Sequence, residues 1–155
     1  MKLWIAITVC LILTITNIVM RKRLSVLENL LSLMVIEFIA TSYFAILVVN
    51  LSVWKIDQQM NNYIIFLLFE VIVAPVLILI FYNVFLVASK LNKLLLMILK
   101  VSILCAIEYL LVHSGVITFQ GWQYWQSFLG YLIMMCLGGL LLIAFRIVTL
   151  REGNN

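Results

Sequence analysis

The chain has 155 residues, 66% of them hydrophobic and only 10% charged, where a soluble domain is roughly half apolar and a quarter charged. A chain this apolar could not cover its surface with polar groups in water, whereas in lipid it has no need to. The formal net charge of +4 comes from Lys and Arg clustered between apolar runs rather than interleaved with aromatics, a pattern of membrane orientation that excludes nucleic-acid binding.

Five apolar runs follow one another: Leu3–Met20, Leu30–Asn50, Tyr63–Ala88, Leu94–Val112 and Phe128–Val148. Each approaches the ~20 helical residues that cross a hydrocarbon core of about 30 Å. The runs are too long for strands, and an open sheet edge is not tolerated in lipid. The expected fold is therefore all-α: a single polytopic domain over residues 1–155, a bundle of about five transmembrane helices. The first run resembles a signal peptide in following Lys2. It is long for a signal core, however, no small-residue cleavage site follows, and Arg21, Lys22 and Arg23 come directly after it. It reads as a retained helix.

The basic residues set an orientation. Arg21, Lys22, Arg23, Lys90, Lys93, Lys100, Arg146 and Arg151 fall on one side of such a bundle, and Lys2 and Lys55 on the other. The positive-inside rule then predicts the N-terminus outside and the C-terminus inside. The outer loops are Asn50–Asn62 and His113–Ser127. The second carries TFQGWQYWQ, in which Trp122, Tyr124 and Trp125 suit the headgroup layer because an apolar ring there can keep a wet polar edge. A lipid- or carbohydrate-binding surface is the alternative.

Ionisable groups inside the spans are the candidate functional residues, since each is costly in hydrocarbon unless paired, protonated or facing a cavity. Helical rise puts Glu37 about 10 Å above the inner boundary, Glu70 about 10 Å below the outer one, and Glu108 about 20 Å up, near the depth of Glu70. Glu37 shares the inner layer with Lys100, and Arg146 is within snorkelling reach, so an ion pair among them is expected. Glu70 and Glu108 are candidates for an ion path, with Pro75 a kink five residues after Glu70. The alternative is two protonated side chains hydrogen-bonded between helices. His113, at the end of the fourth run, is offset from Glu108 and reads as a surface or Tyr109-bonded histidine.

Cys10, Thr14, Asn17 and Arg21 share a face of the first helix that should pack inward. Gly130, Gly138 and Gly139 should permit close helix approach in the last. Cys10, Cys105 and Cys136 lie in apolar segments without CxxC spacing and read as small hydrophobes. HExxH, G-x-S-x-G and P-loop motifs are absent from the sequence, so no catalytic residue, metal site, cofactor or enzymatic activity is expected.

The segment LENLLSLMVIEFIATSYFAILVVNLSVWKI, with Glu28, Glu37 and the closing NLSVWKI, together with the late GWQYWQ, resembles small multi-pass membrane proteins of uncharacterised role in Bacillus-type spore-forming bacteria. The resemblance implies a bacterial plasma membrane and a spore link, and carries over no functional residue. Two roles are expected: a proton- or cation-conducting transport component using the carboxylates, or an accessory subunit of a larger membrane complex. The expected partners are membrane lipids and either further copies of the chain or that complex.

Overall fold

Each of the five apolar runs forms a helix in the computed structural model, which describes residues 1–20, 26–85 and 89–152. They are α1 (Lys2–Val19), α2 (Val26–Asn50), α3 (Met60–Phe85), α4 (Lys90–His113) and α5 (Tyr124–Glu152). All five are long and apolar enough to cross a membrane. The end of the third run, at Ala88, lies outside the described residues, as does Arg21.

The helices form a ring. α2 packs on α3 and α5, and α4 packs on the same two neighbours, while α1 lies against α3 outside the ring. The third helix is therefore enclosed on most sides, with 61% of its most apolar 18 residues buried, against 6% for α1. The outward faces are apolar: Trp4, Ile18, Phe38, Val49, Leu110 and Leu140 are each more than 60% exposed. Apolar surface on this scale belongs against lipid.

The inward stripes follow helical spacing. On α2 they are Asn29, Ser32, Ile36, Ala40, Phe44 and Leu47, all buried. On α4 they are Val101, Leu104, Glu108 and Leu111. Two tyrosines tie the stripes together, each set into a glycine of α5. Tyr43 of α2 lies where a side chain on Gly130 would stand. The Tyr82 hydroxyl of α3 lies 2.6 Å from where a Cβ on Gly138 would be, and donates to the Met135 carbonyl at 2.7 Å. These glycines admit phenol rings rather than a neighbouring backbone. At the far end of the bundle, Asn83 Nδ2 of α3 donates to Asn29 Oδ1 of α2 at 3.0 Å. Thr14 donates to the Cys10 carbonyl of its own helix, at 2.8 Å, and so does not link α1 to a neighbour.

Two helices contain wide π-turns. In α3 the turn spans Phe69–Val73 and closes with the Ala74 N–H on the Phe69 carbonyl, directly before Pro75, which has no N–H to give. The widened turn absorbs the donor that proline removes. In α2 the turn spans Ile46–Asn50 and ends the helix.

One element was not expected: the two loops between spans pair as a short antiparallel ribbon, β1 (Trp54–Ile56) with β2 (Ile117–Phe119). Trp54 faces Phe119 across it, with the rings stacked at 5.6 Å. Trp54 is not a wet interfacial ring. It is 1% exposed and packs on Phe44 at the top of α2. The turn into β2 is a Schellman cap: Gly115 (φ +76°) donates to Val112 and Val116 to Leu111. The strands lie beyond the helix ends, so they leave the spans wholly helical.

The Tyr82–Gly138 seat gives a first prediction. Gly138→Val should destabilise the protein in detergent by about 1–3 kcal/mol through overpacking. Tyr82→Phe should cost under ~1 kcal/mol, as interhelical hydrogen bonds in membranes usually do. Denaturation of both variants, of Tyr82→Leu and of Tyr82→Leu/Gly138→Val checks the contact. The double variant should be less destabilised than the sum of its parts.

Candidate functional site

Glu108 is fully buried, with 0% exposure, on the inward stripe of α4. Five residues separate it from His113, so it lies about 7 Å below the ribbon end of the bundle. Ser127, also fully buried, donates its hydroxyl proton to Glu108 Oε1 at 2.5 Å. The same hydroxyl accepts from Trp122 Nε1 at 2.8 Å. Trp122 is thus half-buried and tied to the site. Tyr124 and Trp125, the other two expected interfacial aromatics, are exposed on the first turn of α5.

Local sequence explains why Ser127 arrives there. Gly121 takes φ +74° and turns the chain out of the ribbon. Gln126 Oε1 then accepts from the Gln123 N–H at 2.8 Å, half of a capping box, and starts α5 one residue later. Ser127 falls in the first turn, facing α4.

Tyr131, one turn further along α5, is fully buried and stands beside the Glu108 carboxyl. Tyr43 of α2 completes the cluster, its ring 5.7 Å from that of Tyr131 and within electrostatic reach of Glu108. Gly130 lets the Tyr43 phenol come this close to α5. The Tyr131 hydroxyl is in hydrogen-bonding reach of the Glu108 carboxyl, and the Tyr43 hydroxyl is buried without a hydrogen-bond partner. Buried polar atoms are nearly always bonded, so a carboxyl, three hydroxyls and one open hydroxyl valence gathered among apolar residues set the cluster apart from ordinary packing. Cys105, one turn below Glu108, is a free thiol beside the carboxyl.

The other expected site residues lie elsewhere. Glu70, half-buried in the π-turn of α3, faces α2 and is within electrostatic reach of Glu37. The structure therefore brings Glu70 to Glu37 and not to Glu108. Glu70 lies about 15 Å from the ribbon end and Glu37, beside Thr41, about 20 Å. Pro75 is buried just below Glu70.

The expected ion pair between Glu37 and Lys100 is not made. Lys100 is 7% exposed, yet among the described residues neither it nor Glu37 has an opposite charge beside it. The reason is the ring order: α2 and α4 are opposite members of the ring, separated by α3 and α5. The Arg146 side chain lies outside the described residues. His113 is exposed and stacks on Tyr109 at 6.1 Å, beyond the Glu108 cluster. No cluster of three metal-ligating His, Cys, Asp or Glu side chains occurs among the described residues.

Tyr43, Ser127 and Tyr131 went unread as site residues in the sequence. The available signal was a polar tip within an apolar run at Tyr43 and Tyr131, and a serine one turn from a tryptophan. Comparison with known proteins adds no assignment: no family model, curated protein or solved structure matches the chain.

Ser127 bridges two buried groups, so its removal should be costly. Ser127→Ala leaves Trp122 Nε1 and Glu108 Oε1 unpaired and should destabilise by about 1–3 kcal/mol. Glu108→Met/Ser127→Ala, which removes the buried carboxyl as well, should recover part of that loss in the same denaturation assay.

Proposed function

We propose that the chain is a membrane component that moves protons or small monovalent cations, with Glu108 as the group that takes the charge. The observation that carries this reading is the fully buried carboxyl bonded to Ser127, with the Tyr131 and Tyr43 hydroxyls gathered beside it from α5 and α2. An ionisable residue inside a span is a functional site by default, and among the described residues no Lys or Arg acts on this one. Carboxyl and hydroxyl oxygens are hard donors that suit a proton or an alkali cation better than a soft metal. Glu70 and Glu37, successively deeper, are the candidates for the continuation of a path, and the π-turn before Pro75 makes the backbone there irregular.

The charge distribution supports an N-out, C-in orientation, with the ribbon on the outer face. The resemblance to small membrane proteins of spore-formers supports a bacterial plasma membrane. The accessory-subunit reading has one observation in its favour. A groove of about 360 Å³ between α2 and α5, lined by Phe38, Ile39, Ile133 and Leu137, runs beside Tyr43 and Gly130 and could seat a partner helix or a second copy.

Flux through purified protein in liposomes tests the proposal. Wild type should carry protons or alkali cations. Glu108→Gln should lower the flux at least tenfold, and Tyr131→Phe should lower it less. Unchanged flux in Glu108→Gln overturns the assignment of Glu108. A folded wild type without flux favours the accessory subunit.

A further inference from the structure

A second cavity lies outside the ring, between α1, α3 and α4, with a volume of about 390 Å³. Its walls are apolar, formed by residues such as Ala6, Val9, Phe69 and Ile107. It runs along α3 from Ile65 to Val73 and along α1 from Lys2 to Cys10, about 12 Å in each case. That length is close to one leaflet's share of a hydrocarbon core about 30 Å thick. The polar lining residues, apart from the Cys10 thiol, gather at the ribbon end: Lys2, His113 and Ser114. Lys2 Nζ donates to the Ser114 carbonyl at 2.7 Å, which leaves two of its three protons for another acceptor. His113 is exposed and held by its stack on Tyr109. No carboxylate lines the cavity, because Glu108 turns inward from the same helix.

An apolar slot as deep as one leaflet, open at the level of a cation and an imidazole, is complementary to a molecule with an acyl chain and an anionic head. We propose that this groove binds one anionic phospholipid, its chain between α1 and α3 and its phosphate on Lys2 and His113. The packing of α1 supports this. It is 6% buried and touches only α3 among the other helices to any extent, so a lipid seated there becomes part of its attachment to the ring. The proposal is independent of any ion movement at Glu108, whose side chain does not line the groove.

Native mass spectrometry of the full-length protein, delipidated and then titrated with phosphatidylglycerol or phosphatidylcholine of identical chains, tests it. One phosphatidylglycerol should be retained at least fivefold more tightly than phosphatidylcholine. His113→Gln, which leaves the Lys2–Ser114 bond intact, should lower that preference, and Lys2→Gln/His113→Gln should abolish it. Val9→Phe, which fills the slot, should weaken both lipids. Unaltered helicity by circular dichroism identifies variants that fold. Equal retention of the two lipids, or a preference untouched by the Lys2 and His113 changes, overturns the proposal. So does displacement of phosphatidylglycerol by an equal concentration of oleate, which would make the occupant a fatty acid.

Discussion

The carboxyl group of Glu108 is removed from both water and lipid, and the ribbon end of the bundle is organised around that fact. In hydrocarbon a polar group must find its partners within the protein. Glu108 finds Ser127, which is in turn held by Trp122, and each of these depends on a feature further along the chain. Ser127 is in reach because Gly121 turns the chain and Gln126 caps α5. Trp122 is in reach because the two loops pair as a ribbon, which holds the segment after β2 over the helix ends. The ribbon is seated by Trp54 on Phe44, so α2 is drawn into the same arrangement.

The two tyrosine–glycine seats have different consequences, although they are similar in construction. Tyr82 reaches α5 from α3, finds a backbone carbonyl, and is fully satisfied. It is a strut. Tyr43 reaches α5 from α2 eight residues earlier along that helix, and its hydroxyl finds no partner. The same packing device therefore gives a hydrogen-bonded contact at Gly138 and a buried polar cluster at Gly130. What separates them is the carboxyl of Glu108, which stands near Tyr43 and has no counterpart beside Tyr82.

The helices were legible in the sequence because length and apolarity alone specify a span. Their starts moved outward by one to four residues, since polar residues such as Lys90 and Tyr124 extend helices past the apolar run. The facing of the helices was not legible. Where both lipid and core are apolar, periodicity fades: on α4, the inward Leu104 and Leu111 and the outward Leu99 and Leu110 are the same residue type. This is why Glu70 was paired with Glu108, and Glu37 with Lys100, by depth alone. Depth is set by rise along one helix, whereas contact needs the ring order, which puts α2 opposite α4. The ribbon was unreadable for a related reason. Its strands are three residues long and pair across 61 to 65 positions, so no local pattern announces them. The Gly115 cap, by contrast, stood in the sequence directly after His113-Ser114 and marked the end of α4.

The most direct test of this account is infrared difference spectroscopy of the protein in lipid, with Glu108→Gln as the subtraction that isolates the Glu108 carboxyl. If that carboxyl is enclosed and bonded by Ser127, its band should shift in Ser127→Ala, because the serine proton on Oε1 is lost, and should stay in place in Glu70→Gln. A Glu108 band indifferent to Ser127→Ala, or one that moves with Glu70→Gln, would contradict the enclosed site and restore the pairing of Glu108 with Glu70.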